Sequence, residues 1–535
     1  MQKLMLLGDE AIAQGAIDAG LSGIYAYPGT PSTEITEYIL QSKEAKEKAI
    51  RAGWSANEKT AVESALGMSY TGKRAMTCMK HVGLNVAADP FLNASITGAN
   101  GGLIVVSADD PSMHSSQNEQ DSRYYGAFAM IPVLEPSNQQ EAYDMVHYGF
   151  DLSEKFHIPV MMRITTRLAH SRAGVVRGRI RMQNEIKLSS NSKQFILLPV
   201  NARRQYKTLL GNQDAFKQAS EESVFNQYYD GPDKSMGIIA CGISFNYLME
   251  NYPQRIVPYP VLKIGQYPAP VDQIRKIYDE CETLLVIEEG YPLIEEQLKG
   301  LLNKGKTIKG RLDGTLPRDG ELAPNMVARA LGMKVEEDRP VSPVVKNRPP
   351  ALCSGCPHIS SYKAINEAME GNGKGHVFSD IGCYTLGFLD PYNAIDTCVD
   401  MGASITMAKG AADAGFLPAI AVIGDSTFTH SGMTGLLDAV LDKSPVTVVI
   451  LDNETTAMTG GQDSAASGKL ESICIGLGVD PSHVRILNPI PKFHEENVRI
   501  IKEEIAYQGV SILIPRRECI QTAARRLKSA KKEEN

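Results

Sequence analysis

The sequence lacks the features of membrane and secreted proteins. Among its 535 residues, no apolar run reaches the ~18 residues that a membrane-spanning helix needs. The apolar stretch at the N-terminus is too short for a signal peptide. The nine cysteines are an odd number and do not indicate a disulfide framework. We therefore expect a cytoplasmic protein in which clustered cysteines serve metal binding or catalysis.

Basic patches are scarce as well. The net charge is −7, and charged residues make up 22% of the chain. One basic cluster, at residues 525–532, is typical of a solvated helix end. We therefore expect neither nucleic acid nor a membrane among the partners. Because domains average roughly 150 residues, the length predicts three or four of them.

Buried strands that alternate with helices predict an α/β fold with parallel sheets. Gly424-Asp425-Ser426 follows one apolar, β-branched run, and Asp452-Asn453 follows the next, with a helical pattern between them. This is one βαβ unit, and ligands bind where such parallel strands end. A carboxylate and an amide oxygen suit a Mg²⁺ ion that also contacts a phosphate group. Two ordinary turns capped by Asp and Asn are the alternative.

The same pattern divides the chain into segments. The predicted segments are an α/β domain at 1–185, a linker or insertion at 186–235, a smaller α/β domain at 236–335, a Pro-rich linker at 336–350, a diphosphate-binding α/β domain at 351–520 and a charged tail at 521–535.

Two strand ends of the first domain carry residues that indicate a site. Pro28, Gly29 and Thr30 form a turn that brings the backbone close to a ligand or simply joins a strand to a helix. Glu58 opens an Ala-rich helix and is either a buried functional carboxyl group or an exposed first-turn glutamate favoured by the helix dipole.

A long polar run also follows a predicted strand of the first domain. It spans residues 108–123, and compact domains keep such loops mainly for sites. The candidates for contacting a substrate carboxylate there and at the neighbouring strand end are His81, His114, Gln120 and Arg123.

The cysteines of the third domain leave several chemistries open. Cys353 and Cys356 form a C-x-x-C pair ahead of a helix, Cys383 follows a strand, and Cys519 follows the last strand. Four thiolates at one sheet end are able to bind zinc or an iron–sulfur cluster. A redox C-x-x-C pair and buried free cysteines are the alternatives.

Seven motifs together resemble the α subunits of the indolepyruvate:ferredoxin oxidoreductase family, which use thiamine diphosphate. The motifs are Tyr27-Pro-Gly-Thr-Pro-Ser32, Trp54-Ser-Ala-Asn-Glu-Lys59, Lys80-His-Val-Gly-Leu-Asn85, Ser115-Ser-Gln-Asn-Glu-Gln-Asp-Ser-Arg123, Cys353-Ser-Gly-Cys-Pro-His358, Asp380-Ile-Gly-Cys-Tyr-Thr385 and Met458-Thr-Gly-Gly-Gln462. The resemblance implies two thiamine-diphosphate-binding parallel-sheet domains, with a smaller domain like the C-terminal domain of transketolase between them.

The resemblance also implies roles for single residues. Glu58 would hydrogen-bond the aminopyrimidine ring of the cofactor, and the other residues implied to act on the substrate are Thr30, His81, His114 and Arg123. The implied cofactor-binding residues are Pro28, Gly29, Glu58, Asn85, His358, Gly382, Tyr384, Gly424, Asp425, Ser426, Asn453 and Thr455. The implied Mg²⁺ ligands are Asp425, Asn453 and Thr455, and those of a [4Fe-4S] cluster are Cys353, Cys356, Cys383 and Cys519, with Cys398 as the competitor for the fourth place.

The activity implied by the family is oxidative decarboxylation of an aryl 2-oxoacid with coenzyme A to an acyl-CoA. Electrons would pass through the cluster to ferredoxin, and a smaller β subunit would complete an α₂β₂ enzyme. A non-oxidative thiamine diphosphate-dependent decarboxylase or carboligase, which needs no cluster, is the alternative. A scaffold that binds a nucleotide is a third.

The sequence departs from this family at two places. The 535 residues contain no C-x₂-C-x₂-C-x₃-C-P run of the family's ferredoxin-like domain. We therefore expect the distal clusters on another subunit, or a different electron acceptor. Residues 107–111 also lack the arginine that pyruvate-type relatives place after the corresponding strand, which leaves the carboxylate-binding residue unassigned.

Overall fold

The computed structural model describes residues 3–191, 193–335, 341–346, 348 and 350–533 and groups the chain into two compact units, Met1–Arg339 and Pro340–Asn535. The predicted α/β fold is confirmed, since both units contain parallel sheets flanked by helices. Residues 336–340, 347 and 349 of the predicted Pro-rich linker, and the last two residues of the predicted tail, lie outside the described residues.

The larger sheet of the first unit has seven strands. Its core strands are buried along their whole length, which explains their continuous apolar sequence. All neighbouring strands are parallel except the edge pair 266–267 and 133–134. In spatial order the strands are Gln266–Tyr267, Val133–Leu134, Val160–Thr165, Leu103–Asp109, Ala75–Lys80, Gly23–Ala26 and Arg51–Trp54.

Helices cover this sheet through small residues. The helix Gly8–Asp18 packs on Gln139–Phe156 so closely that a Cβ at Gly15 would lie 2.7 Å from the main-chain oxygen of Tyr143. The other helices of this part of the unit are Thr33–Gln41, Lys43–Glu47, Glu58–Tyr70, His81–Val86, Ala88–Thr97, the 3₁₀ turn Pro111–Met113, Arg123–Ala129 and Thr166–His170, and Lys3–Leu7 pairs with Arg172–Val176 in a separate antiparallel ribbon.

The smaller sheet of the first unit has five strands in the order Ile308–Lys309, Thr283–Ile287, Met236–Cys241, Val261–Ile264 and Gln227–Tyr229. Residues 186–235 are more ordered than their lack of pattern predicts, because they contain the helices Pro199–Gly211 and Gln213–Glu221 as well as the last strand of this sheet. The remaining helices are Ser244–Met249, Val271–Glu280, Leu293–Lys299 and Pro324–Ala330.

The second unit is built on one fully parallel five-stranded sheet. Its strands in spatial order are Val377–Ser379, Ala419–Gly424, Val446–Leu451, Ser511–Pro515 and Val484–Leu487, and Thr455–Thr456 pairs with Gln462–Asp463 beside it. The α-helices are Pro357–Ala368, Ala403–Asp413, Asp425–Thr427, Met433–Leu441, Leu470–Gly476, His494–Ile505 and Ile520–Glu533. A π-helix spans Phe428–Gly432, and 3₁₀ turns span Cys383–Phe388, Ala457–Thr459, Pro481–His483 and Pro491–Phe493.

Within the described residues, no helix combines the length and the apolar composition needed to cross a bilayer.

Candidate active site

In the first unit, the Pro28–Ser32 turn joins the strand Gly23–Ala26 to the helix Thr33–Gln41. The hydroxyl of Ser32 donates to the main-chain oxygen of Gly29 (2.8 Å), and the amide of Gly29 donates to the hydroxyl of Thr33 (3.0 Å). Pro28 is buried, whereas Gly29 and Thr30 are partly exposed. A Cβ at Gly29 would lie 3.3 Å from the Cβ of Lys80, so the turn contacts the end of the neighbouring strand.

Glu58 is the first residue of the helix Glu58–Tyr70, which Asn57 caps by accepting a hydrogen bond from the amide of Thr60 (2.9 Å). The Glu58 residue is only 5% exposed. Its carboxyl group packs on Gly83, where a Cβ would lie 2.5 Å from Oε1. The alternative of an exposed first-turn glutamate is therefore wrong, and Gly83 is the glycine that makes room for this carboxyl group.

Two basic residues lie where the strand Ala75–Lys80 ends. His81 is buried, and its Nε2 lies 3.1 Å from the main-chain oxygen of Asn118, while its Nδ1 has no hydrogen-bond partner among the described residues. Burial lowers the pKa of Lys80 to about 8, and its ammonium group donates to the main-chain oxygen of Ser115. Asn85 is exposed and accepts a hydrogen bond from the hydroxyl of Tyr125 (2.6 Å).

Sequence reasoning missed Lys80. The residue is placed by the strand end and by its contact with Gly29, and its ammonium group reaches the polar 108–123 loop. The available signal was a lysine directly before His81 at the end of an apolar strand.

Arg123 serves the structure of the unit. Its side chain is 0% exposed, and its guanidinium donates to Asp121, to Glu288 (2.9 Å) and to the hydroxyl of Tyr267 (3.1 Å). Asp121 also lies 3.7 Å from Arg163, so the arginine belongs to a buried ion-pair network. These contacts correct the prediction that Arg123 contacts a substrate, because its donors are already engaged.

The other loop candidates are less buried. The His114 side chain is 51% exposed and lies 3.4 Å from a carboxylate oxygen of Glu321, and Gln120 is partly buried. Neither position holds a desolvated polar group of the kind found at Lys80 and Glu58.

In the second unit, Asp425 follows the strand Ala419–Gly424 at the carboxyl edge of the sheet. Its carboxyl group is buried, and Oδ2 has no hydrogen-bond partner among the described residues. Burial and, second to it, the nearby carboxylate of Asp452 raise the pKa of Asp425 to about 7. An orphaned carboxylate oxygen in this position fits a divalent cation that would neutralise it.

Asn453 and Thr455 follow the next strand, Val446–Leu451, and both are buried. The Oδ1 atom of Asn453 accepts from the amide of Thr455 (3.2 Å), and its Nδ2 lies 3.4 Å from Nε2 of His358. Burial lowers the pKa of His358 to about 4, so the imidazole is neutral at pH 7 and able to accept this hydrogen bond. The amide is thereby oriented, with its oxygen turned away from His358.

The ring of Tyr384 packs against two glycines at this edge of the sheet. Its ring lies against Gly382 and Gly424, where a Cβ at Gly424 would be 2.6 Å from the ring, and its hydroxyl contacts the carboxylate of Asp380. Ser426 shares a hydrogen bond of 2.9 Å with the hydroxyl of Thr456. Both glycines are therefore needed for close packing beside the acidic strand end.

Four of the nine cysteines line one cavity. The cavity has a volume of about 190 Å³ and lies among Cys353, Cys356, Cys383, Cys519, His358 and Asn453. Asn453 therefore belongs to the lining of the thiol-lined cavity and follows the strand next to the one that Asp425 follows. Cys398, the competitor for the fourth position, is exposed and is not part of this lining.

The thiols of this cavity are spread more widely than those of a tetrahedral zinc site. Zn–S bonds of ~2.3 Å place the sulfur atoms of a tetrahedral zinc site roughly 3.8 Å apart. Among the described residues, no three of these thiols come within 4.8 Å of one another. Burial raises the pKa of Cys356, whereas a reactive C-x-x-C pair needs a lowered pKa.

Comparisons with known proteins match both units. Residues 14–220 match the family described as "Pyruvate flavodoxin/ferredoxin oxidoreductase, thiamine diP-bdg", and residues 380–486 match "Thiamine pyrophosphate enzyme, C-terminal TPP binding domain". The chain is 38% identical to the indolepyruvate oxidoreductase subunit IorA of Archaeoglobus fulgidus, over 97% of this chain and 86% of that protein. It is 39% identical to the subunit of the same name from Pyrococcus horikoshii, over 97% and 86%.

More distant similarities cover less of the chain. The 2-oxoglutarate synthase subunit KorA of Methanocaldococcus jannaschii is 29% identical over 33% of this chain and 49% of that protein. A solved 2-oxoglutarate:ferredoxin oxidoreductase from Magnetococcus marinus, with 2-oxoglutarate, coenzyme A and succinyl-CoA bound, aligns with a TM-score of 0.50 and 16% identity, over 62% of this chain and 65% of that one. This last likeness concerns the fold alone.

Proposed function

Because the chain belongs to the family of indolepyruvate oxidoreductase subunits IorA, we propose that it oxidatively decarboxylates an aryl 2-oxoacid with coenzyme A. It is the α subunit of a thiamine diphosphate-dependent 2-oxoacid:ferredoxin oxidoreductase. The aryl substrate and the acyl-CoA product are the specific parts of the proposal. The names of the relatives support the first, and the family resemblance supports the second.

The second unit would hold the diphosphate of the cofactor through Mg²⁺. Asp425 would give the ion a carboxylate oxygen, Asn453 its amide oxygen and Thr455 its main-chain oxygen. The orphaned, buried Oδ2 of Asp425 supports this assignment. Ser426, Gly424, Gly382, Tyr384 and His358 would shape the surrounding surface, since each contacts a ligand residue or the strand ends beside them.

When bound, thiamine diphosphate supplies a nucleophilic carbon and an electron sink for decarboxylation. Glu58 would hold a proton at the aminopyrimidine ring, as the buried carboxyl group at a helix start allows. Pro28, Gly29, Thr30 and Asn85 are the other candidates of the first unit for contact with the cofactor or substrate.

Lys80 is our candidate for binding the substrate carboxylate. Its ammonium group lies at the same strand end as His81, and partial burial strengthens its attraction for an anion. Residues 107–111 lack an arginine, and Arg123 is bound to Glu288, so Lys80 is the cation that we assign to the substrate carboxylate. His81 would contribute through its Nδ1, which has no hydrogen-bond partner among the described residues, and His114 through its exposed imidazole.

The four cysteines would hold a [4Fe-4S] cluster, which supplies one-electron chemistry. The observation that carries the proposal is the cavity lined by Cys353, Cys356, Cys383 and Cys519, because it shares Asn453 with the candidate Mg²⁺ site. A cofactor site and an electron acceptor would then be neighbours. The expected partners are a smaller β subunit, in an α₂β₂ assembly, and ferredoxin.

An oxoacid panel tests this function. We would purify the chain with its β subunit without oxygen and follow ferredoxin reduction with aryl and aliphatic 2-oxoacids, with and without coenzyme A and thiamine diphosphate. The proposal expects reduction that requires both and is fastest with aryl 2-oxoacids. Release of carbon dioxide and an aldehyde with no ferredoxin reduction would favour the non-oxidative decarboxylase.

A further inference from the structure

Three side chains that the proposed chemistry does not use meet in the first unit. Asp9 is the second residue of the helix Gly8–Asp18, Glu34 is the second residue of Thr33–Gln41, and His170 ends the helix Thr166–His170. One ligand atom from each lies within 4.8 Å of the others. The approach of the helices is enforced at Gly8, where a Cβ would overlap the main-chain oxygen of Leu168.

Asp9 is the unusual member of this group. It is 0% exposed, and among the described residues no N–H or hydroxyl group donates to its carboxylate oxygens; the carboxyl group of Glu34 is the polar group within hydrogen-bond reach. Among the described residues, the nearby arginines pair with Glu10, Asp18 and Glu44, and no lysine or arginine pairs with Asp9. A buried carboxylate without a partner is costly, so it requires a proton or a cation. Burial and the adjacent carboxylate of Glu34 raise the pKa of Asp9 well above its usual range.

The geometry suits an ion with one open side. The Nε2 atom of His170 lies 3.6 Å from Oε2 of Glu34. Two ligands on the same ion, each at ~2.1 Å, are roughly 3.0–3.4 Å apart, so small side-chain rotations close the site. The side chains of Glu34 and His170 are each about one-third exposed, at 36% and 35%, which leaves room for water ligands.

We propose that Asp9, Glu34 and His170 bind a divalent first-row transition-metal ion through two carboxylate oxygens and one imidazole nitrogen. The imidazole disfavours Mg²⁺ and Ca²⁺, which prefer oxygen ligands, and suits Fe²⁺, Co²⁺ or Zn²⁺, while the two carboxylates also suit Mn²⁺. The ion joins the first turns of two helices, and the second of these, Thr33–Gln41, begins directly after the Pro28–Ser32 turn. The site therefore fastens this turn to the helix Gly8–Asp18 and stands independently of the proposed function.

Mn²⁺ is the probe for this site, because it avoids the thiolates of the second unit that zinc would occupy. The full chain would be stripped with a chelator, saturated with Mg²⁺ and thiamine diphosphate, and titrated with Mn²⁺ while free Mn²⁺ is followed by EPR. We expect one Mn²⁺ per chain that excess Mg²⁺ does not displace. Asp9→Asn should abolish this binding, and His170→Gln should weaken it at least about tenfold.

Two controls keep the test selective. His494→Gln breaks a comparable partly exposed His–Glu pair in the second unit, where Nε2 lies 2.7 Å from Glu367. Asp425→Asn alters the candidate Mg²⁺ site; both variants should keep the Mn²⁺ affinity. Spin-echo EPR of the bound Mn²⁺ should show coupling to an imidazole nitrogen that His170→Gln removes. Absence of an Mg²⁺-resistant Mn²⁺, or equal Mn²⁺ binding by wild type and His170→Gln, would overturn the proposal in favour of a proton shared by Asp9 and Glu34.

Discussion

Replacing Asp425 with asparagine should weaken cofactor binding and remove most of its pH dependence. The carboxyl group is buried and its pKa is raised to about 7. In the protein without cofactor, Mg²⁺ must therefore displace a proton from Asp425, and binding becomes stronger as the pH rises. With this pKa, the ionised fraction is about 0.9 at pH 8 and about 0.1 at pH 6, so the apparent affinity should fall about tenfold between them.

Calorimetry gives the assay. Thiamine diphosphate with Mg²⁺ would be titrated into the metal-free protein at pH 6, 7 and 8, in buffers of different ionisation enthalpy. At pH 7 the wild type should release about 0.5 proton more than Asp425→Asn, because half of the Asp425 carboxyl groups are protonated there. The comparison with the variant subtracts the titration of the diphosphate itself, whose last pKa is close to ~6. Asp425→Asn should lower the affinity at pH 8 by roughly 100-fold or more, since even outer-shell partners of a metal contribute 10–100-fold.

Asp452→Asn is the matched control. Asp452 raises the pKa of Asp425, and its Oδ2 accepts a hydrogen bond from Arg516 (2.6 Å) that an amide oxygen is able to keep. The variant should lower the pKa of Asp425 and so strengthen cofactor binding at pH 6 relative to the wild type. Equal proton release by the wild type and Asp425→Asn, together with equal affinities, would refute the assignment of Asp425 to the metal.

Three further predictions concern the thiols, the strand end at Lys80 and the packing of Glu58. Cys519→Ser should lower the iron content of the anaerobically purified protein. Cys398 is exposed and lies outside the cavity, so Cys398→Ser should keep the iron content. The reverse result in an iron assay would make Cys398 the fourth cluster ligand in place of Cys519. Lys80→Met should raise the KM for the 2-oxoacid about 10- to 100-fold, by loss of a charge-assisted hydrogen bond of roughly 1.5–3 kcal/mol, and unchanged steady-state kinetics would exclude Lys80 as the anchor. Gly83→Ala should lower kcat, because its Cβ would displace the Glu58 carboxyl group. Gly67 lies in the same helix as Glu58 with open space around it, so Gly67→Ala should keep kcat and stabilise the fold by about 0.5–1 kcal/mol. Equal kcat values for the two variants would argue against the packing of Glu58 on Gly83.

The shared position of Asp425 and Asn453 in the candidate site was predictable because its signal is local. Asp425 and Asn453 end two consecutive strands of one βαβ unit, and such strands end at the same edge of a parallel sheet. The sequence pattern alone therefore places both residues at one edge of the sheet. The position of Glu58 at a helix start is also a local signal. Its burial, however, depends on Gly83, which lies in a different helix.

The thiol-lined cavity depends on strand order, which spacing does not encode. Cys383 follows the edge strand Val377–Ser379. Cys519 follows Ser511–Pro515, and two other strands lie between this strand and Val377–Ser379 in the sheet. Only the spatial order of the strands and the loops above them distinguishes Cys519 from Cys398.

Burial of charge was the least predictable property. Arg123 looks like a substrate-binding arginine in a polar loop, yet its partner Glu288 is 165 residues away in the chain. Lys80 and Asp9 look like ordinary residues at a strand end and a helix start. They are buried because segments that are remote in sequence pack against them, and no local sequence pattern predicts this packing.

The measurement that tests the central claim most directly is EPR of the oxygen-free protein purified with its β subunit and supplied with Mg²⁺, thiamine diphosphate and coenzyme A. After addition of an aryl 2-oxoacid, without ferredoxin, we predict the signal of a reduced [4Fe-4S] cluster. Glu58→Gln should contain the same amount of iron and give no signal. A protein without iron, or a signal that is equally strong without the oxoacid or in Glu58→Gln, would contradict the account.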